Sequence, residues 1–251
     1  MLRSLKSLER FDILARDGKI GSVFDFFFDD SDWTLRYLVV TAGSWLSGRK
    51  VLVAPEALET PLWEQEKFPV SLTRKQVEDS PEIDTEKPVS REQQGLLHRY
   101  YGWALHWNIW APKPGGESDD ILAAMARKRF GGAGLDEPNL RSARDVQGYG
   151  LEAKDGVFGE VEDLIIDDKD WVIRYIVVDT GRWMPGRKVI ISPDWVSEID
   201  WSTNTVRVAL FKEEVVKSPE YEPERVLNRR YEEILYEHYG RPEYWSDKWA
   251  A

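Results

Sequence analysis

Hydrophobic and polar residues alternate most regularly over 33–41, where Trp33, Leu35, Tyr37 and Val39 fall on one side and Thr34, Arg36, Leu38 and Val40 on the other. Two-residue periodicity of this kind predicts a β-strand with one face against a core. Shorter apolar runs at 13–15, 23–28 and 50–54 predict three more strands. Asp17-Gly18 marks a tight turn, the Asp29-to-Asp32 cluster a second turn, and Pro55 a stop. Leu62-Trp63 with 68–72 reads as a closing hairpin, and 2–8 as a short turn or a helical turn capped by Ser4 or Ser7. The period then changes. Helical spacing is expected over 73–79, 91–107 and 224–239, and in the last of these Leu227, Tyr231, Ile234, Leu235 and His238 form one stripe. Gly240 stands where a helix C-cap belongs, and Pro242 prevents continuation.

This whole pattern occurs twice. Residues 17–55 read DGKIGSVFDFFFDDSDWTLRYLVVTAGSWLSGRKVLVAP, and residues 155–193 read DGVFGEVEDLIIDDKDWVIRYIVVDTGRWMPGRKVIISP. Gly18 and Gly156 are 138 positions apart, as are Trp45 and Trp183, and the offset holds without a gap from Leu2-Arg3-Ser4 against Leu140-Arg141-Ser142 to Trp107 against Trp245. A period of that size makes a tandem pair of domains rather than a solenoid. The second copy adds a clear hairpin, with strands at 199–201 and 205–210 around a Ser202-Thr203-Asn204 turn. Five or six short strands at this spacing predict a small antiparallel barrel. The expected organisation is a mainly β protein with α extensions. Domain 1–111 is a barrel with a helical tail, 112–138 is a linker with a short helix at 119–129, and domain 139–251 is a second barrel with its tail.

Composition narrows the function. A net charge of −11 argues against binding nucleic-acid backbone, which needs a basic face. With no Cys there are no disulfides, thiolate chemistry or Cys-ligated zinc. No run of 18 apolar residues exists, so no membrane span is expected, and the charged start of the chain lacks the apolar core of a signal peptide. A cytoplasmic location is the expectation.

The opening DG-x-x-G-x-V-x-D, the long strand ending in Val39-Val40 or Val177-Val178, and the GRKV strand ending in Pro resemble the PRC-barrel family. The resemblance is strongest over 11–79 and 149–217. The tail with Ser-Pro-Glu and HYGRPEYW is similar to that of bacterial tandem PRC-barrel proteins. The family includes the cytoplasmic barrel of the photosynthetic reaction-centre H subunit and a barrel in a ribosome maturation factor. The resemblance implies a fold and a role in assembling complexes, and it brings no catalytic residues. The chain is expected to be a non-enzymatic scaffold that binds protein partners and uses no cofactor. The alternatives are a photosynthetic or electron-transfer accessory protein at a membrane, and an RNA-processing or ribosome-assembly factor.

Among candidate site residues, the recurring Trp33/Trp171, Trp45/Trp183, Trp63/Trp201 and Trp107/Trp245 read first as core anchors. Trp45-Leu46 and Trp183-Met184 stand apart, because they lie in glycine-flanked loops where an aromatic meets a neighbour. They are expected in a contact between the barrels or between chains of a homo-oligomer. Arg49-Lys50 and Arg187-Lys188, beside Arg36 and Arg174, are weak candidates for an anion site. Asp29, Asp30, Asp32 and their counterparts Asp167, Asp168, Asp170 supply too few oxygens for calcium and read as turns. His98, His106 and His238 have no metal-site spacing.

Overall fold

The computed structural model describes residues 1–83, 89–105, 140–181 and 184–246. The expected linker helix, Trp107 and Trp183 lie outside them. The protein is mainly β, with a large mixed sheet and few helices, and the sheet is not closed into a barrel. Two compact units emerge, and neither coincides with a repeat. Unit 1 comprises Met1–Glu9, Asp32–Leu35 and Ser142–Ala251; unit 2 comprises Arg10–Ser31 and Arg36–Arg141.

Unit 2 is built on β2 (Asp12–Ala15), β3 (Gly18–Asp29), β4 (Thr34–Ala42, from Arg36 onward), β5 (Lys50–Val53) and β6 (Lys67–Pro69). The strand order is β5-β4-β3-β2-β6. The Asp17-Gly18 turn joins β2 to β3 as expected. The long β3 runs well past the expected strand because its β2 end pairs Ala15 with Gly18 and Ile13 with Gly21. The β2–β6 pair is parallel, with Ile13 opposite Phe68. An all-antiparallel barrel was the expectation. It fails here because the chain returns through the 3-10 turns Pro55–Ala57 and Trp63–Gln65 before reaching β2. The core clusters Phe27, Tyr37, Val39, Leu52 and Leu97, with Leu140 closing it.

Two helices follow the strands. Thr73 and Gln76 form a reciprocal capping box that starts α2 (Arg74–Glu78), and Ser90 with Gln93 does the same for α3 (Arg91–Tyr101). The helix expected over 91–107 ends at Tyr101, because Gly102 turns left-handed at φ +74°.

Unit 1 repeats the plan with β8 (Gly150–Ala153), β9 (Gly156–Asp167), β10 (Val172–Asp179), β11 (Lys188–Ile191), β12 (Val196–Asp200) and β13 (Thr205–Val208). Here too one pair is parallel, β13 with β8. Helices α4 (Ala143–Val146), α5 (Lys212–Val216) and α6 (Arg229–Tyr239) complete it. The stripe expected on α6 is rotated. Glu232, Leu235, Tyr236 and Tyr239 are buried, and Ile234 is exposed. An acid was not counted among the apolar positions, yet Glu232 lies at the i, i+3, i+4, i+7 spacing that faces the strands.

The segment Met1–Glu9 completes this unit. Strand β1 (Leu2–Ser4) pairs antiparallel with β9, placing Leu2 opposite Asp167, Arg3 opposite Ile166 and Ser4 opposite Ile165. Helix α1 (Leu5–Leu8), capped by Ser4, buries Leu5 and Leu8 to 1% exposure. Emptying either position would cost about 2–5 kcal/mol. In unit 2 the equivalent strand β7 (Leu140–Ser142) lies on β3, with Leu140 buried. Each unit therefore takes its Leu-Arg-Ser strand from the opposite repeat. The boundaries 1–111 and 139–251 follow the repeat alone, whereas the compact units exchange these strands.

The recurring tryptophans are not the deepest anchors. Trp33 and Trp171 sit in turns at φ +57° and +59°, just before the strands they were expected to begin. They are half-buried, as are Trp45, Trp63 and Trp201. Tyr37 and Tyr175, also 138 apart, are fully buried, and Trp195 is the buried tryptophan among the described residues.

Candidate functional site

The loop after β4 forms a 3-10 turn, Ser44–Leu46. Its Trp45 does not project away. The indole N–H donates to the Ile20 carbonyl at 2.9 Å, and the Arg74 guanidinium stacks 4.3 Å from the ring centroid. Leu46 is half-buried beside it. In unit 1, Thr180 Oγ1 donates to the Met184 carbonyl at 2.7 Å and is also 2.7 Å from the Arg187 carbonyl, which pins the base of the equivalent loop.

The basic pairs are already engaged. Arg49 Nη2 donates to the Val77 carbonyl at 2.9 Å and to Ser80 Oγ at 3.0 Å, at the C-terminal end of α2. Arg187 Nη2 makes the corresponding bond to the Ser218 carbonyl after α5. A guanidinium there meets carbonyls that the helix leaves unbonded and favours the negative end of its dipole. Lys188 Nζ pairs with Glu162 at 2.6 Å, and Lys50 Nζ lies 4.3 Å over the Phe24 ring. Arg36 reaches Asp29 at 3.6 Å, and Arg174 pairs with Asp170. Each of these six cations has a protein partner, an arrangement that fastens helix ends and turns.

The acidic turns are similarly employed. Asp29 Oδ1 accepts from the Ser31 amide at 3.0 Å, and Asp32 Oδ1 from the Thr34 amide at 3.0 Å. Asp167 Oδ1 and Asp170 Oδ1 accept from the Lys169 and Val172 amides, both at 3.2 Å. Among the described residues no group of three or more acids or histidines is placed to hold a metal ion.

The middle acid of each turn has a different role. Asp30 Oδ2 accepts from Arg141 Nε at 2.7 Å, and Asp168 Oδ2 from Arg3 Nε at 2.7 Å. Burial raises the Asp30 carboxyl despite its arginine. Burial also opposes ionisation of Asp168, but hydrogen bonds from the chain-terminal amine and Arg3 outweigh it and hold the group low. On β9, Asp163 is buried and accepts from Ser4 Oγ and from the Lys6 amide at 3.2 Å. Burial raises its carboxyl above the usual range. These carboxylates make the exchanged strands sequence-selective: an arginine meets one and a serine the other.

A second polar feature lies under each tail helix. In unit 2, His98 Nδ1 is 2.7 Å from the Ala104 carbonyl. A carbonyl only accepts, so Nδ1 carries the proton. In the neutral ring Nε2 then accepts from the Tyr37 hydroxyl, 2.6 Å away. Burial favours that neutral form and lowers the His98 pKa. In unit 1 the counterpart of His98 is Tyr236, and the acceptor role passes to Glu232. Its Oε1 accepts from Tyr175 at 2.7 Å and from Tyr244 at 3.0 Å, while Arg229 approaches Oε2 at 3.1 Å. Arg229 also stacks 3.9 Å from the Trp245 ring, and Arg174 lies 4.4 Å over Tyr244. Burial drives the Tyr175 hydroxyl far above its usual range, and Tyr236 to about 12.

Sequence reading missed both features. Tyr37 and Tyr175 were placed on a strand face without their hydroxyls being assigned a partner, although a buried tyrosine needs one. Their 138-residue offset, with histidine in one tail and glutamate in the other, was the available signal.

A scan against protein-family models matches the PRC-barrel domain over residues 141–215, which span β7 to α5 apart from the first residue of β7 and the last of α5. A search of curated proteins found no match. The chain therefore carries a PRC-barrel domain at residues 141–215.

Proposed function

We propose that the chain is a non-enzymatic scaffold of the cytoplasm, built from two PRC-type units, that binds a protein partner through the outer faces of its tail helices. The observation that carries this reading is a repeated exposed apolar position. Leu96 on α3 and Ile234 on α6 are 46% and 42% exposed and lie 138 positions apart. Tyr100, one turn beyond Leu96, is also exposed. A lone surface leucine needs no explanation. Two units that expose an aliphatic side chain at the same helical position, while the opposite face is packed, support a contact surface. The buried titratable groups support the non-enzymatic part, because His98 and Glu232 are occupied in hydrogen bonds that hold the tails.

The test is capture of partners from the native host by wild type and by an L96E/I234E chain. Both should melt alike, since the substituted side chains face water, and the double variant should lose the captured proteins. An unchanged set of captured proteins would sink the proposal. Recovery of RNA in place of protein would favour the ribosome-assembly alternative.

A further inference from the structure

The edge of β9 selects the strand that lies on it in three ways. Main-chain pairing sets the register of Leu2–Ser4 against 165–167. Asp168 takes Arg3, and Asp163 takes Ser4 and the Lys6 amide. Both Arg3 and Asp168 are largely shielded from water, so reversing either charge alone disrupts recognition. In unit 2 the pair Arg141–Asp30 repeats the arginine lock.

Separation along the chain does not govern the choice. The two locks join residues 165 and 111 positions apart, and each acceptor holds the strand of the opposite repeat. Recognition thus resides in the Leu-Arg-Ser side chains and the strand edge. The segment meets the rest of the chain at Arg10, which adopts φ +72°, where the other repeat has Gly148 at φ +84°. That conformation is natural for glycine and strained for a residue with a side chain. A change of backbone path at Arg10 relieves the strain.

We propose that a second copy of this chain fills the β9 acceptor in trans, giving a strand-exchanged homodimer in which Arg3 and Ser4 of one protomer reach Asp168 and Asp163 of its partner. Exchange keeps the strand pairing and the Arg3 and Ser4 bonds of the closed form. Concentration and the Arg10 hinge then set the balance between monomer and dimer. Because the segment must leave its own acceptor first, the dimer is expected to form during folding rather than by mixing folded chains. This inference does not depend on the proposed scaffold role.

Two full-length chains, Arg3→Asp and Asp168→Arg, test it. Either chain alone places like charges together, both within itself and in a homodimer. Only the mixed dimer matches both pairs: the unchanged segment meets the unchanged acceptor, and the R3D segment meets the D168R acceptor. The chains carry different tags and are denatured, mixed and refolded at high concentration, and light scattering with sequential tag capture reads mass and composition. A doubly tagged species of twice the monomer mass, absent from either pure chain, is the expected result. If a single variant does not fold alone, its recovery as a mixed dimer supports the proposal equally. Mixed refolding that yields no doubly tagged dimer, while the R3D/D168R chain folds as a monomer, overturns it.

Discussion

Gly21 and Gly159 occupy the closest backbone approach in each repeat. A Cβ at Gly21 would lie 2.0 Å from the Thr41 carbonyl oxygen and 2.8 Å from the Ala42 Cα, and one at Gly159 would lie 2.3 Å from the Asp179 carbonyl oxygen. These obstacles are main chain and cannot rotate away. Gly21→Ala and Gly159→Ala should each destabilise by about 2–3 kcal/mol, as overpacking does, and denaturant melts will read the change. His98 supplies a second prediction. Its folded pKa is lowered from 6.5 by burial, so the unfolded chain binds the proton more readily. The stability from keeping it neutral is present above about 6.5 and is lost as pH falls through that value toward the lowered one. His98→Phe removes this dependence. Wild type should therefore lose stability between pH 7 and 5 relative to the variant, and parallel pH profiles would refute the assignment. The glycine contacts were legible, since an unbroken 138-residue offset preserved both glycines. The histidine's role was not, because the Ala104 carbonyl that fixes its tautomer has no signature in sequence.

Among elements, the two short helices after the strands depend on side chains far away in the sequence. Arg49 bridges to the end of α2 and Arg187 to the end of α5. Hydrogen bonds to a charged donor contribute about 1.5–3 kcal/mol. Arg49→Ala and Arg187→Ala should each lose about that much, and Arg49→Lys should recover little, since one ammonium does not span Val77 and Ser80 as the fork does. Thermal melts of the three variants check this. Strand order along the chain, the capping of α1 by Ser4 and the end of α6 at Gly240 were readable, because turn and cap residues act locally. The parallel β2–β6 and β13–β8 pairs were not readable, because a strand's own pattern does not fix the direction of a neighbour more than fifty residues away. The α6 stripe was misjudged for a related reason. Glu232 is buried where Tyr175 and Tyr244 reach its carboxylate from outside the helix.

At the scale of the whole molecule, the repeat reveals two similar copies, but each folded unit draws on both. Unit 1 needs Met1–Glu9, whose Leu5 and Leu8 are buried, and unit 2 needs Leu140 and Arg141. An alignment of the copies cannot detect such an exchange, because each Leu-Arg-Ser strand looks the same on either acceptor. The consequence is thermodynamic. Unfolding unit 2 frees the chain on both sides of its boundary at Arg10, and the segment packed on unit 1 loses its tether. Unfolding unit 1 likewise removes the anchor beyond Arg141. Stability is then shared, and calorimetry should show one transition whose van't Hoff and calorimetric enthalpies agree, as for a cooperative domain. Two independent repeats would give two transitions. Arg141→Ala, which removes the Arg141–Asp30 pair of unit 2, should lower that single transition as a whole and leave its shape unchanged. A variant melt that splits, with the unit 1 signal held at the wild-type temperature, would show that the exchanged strands do not couple the units.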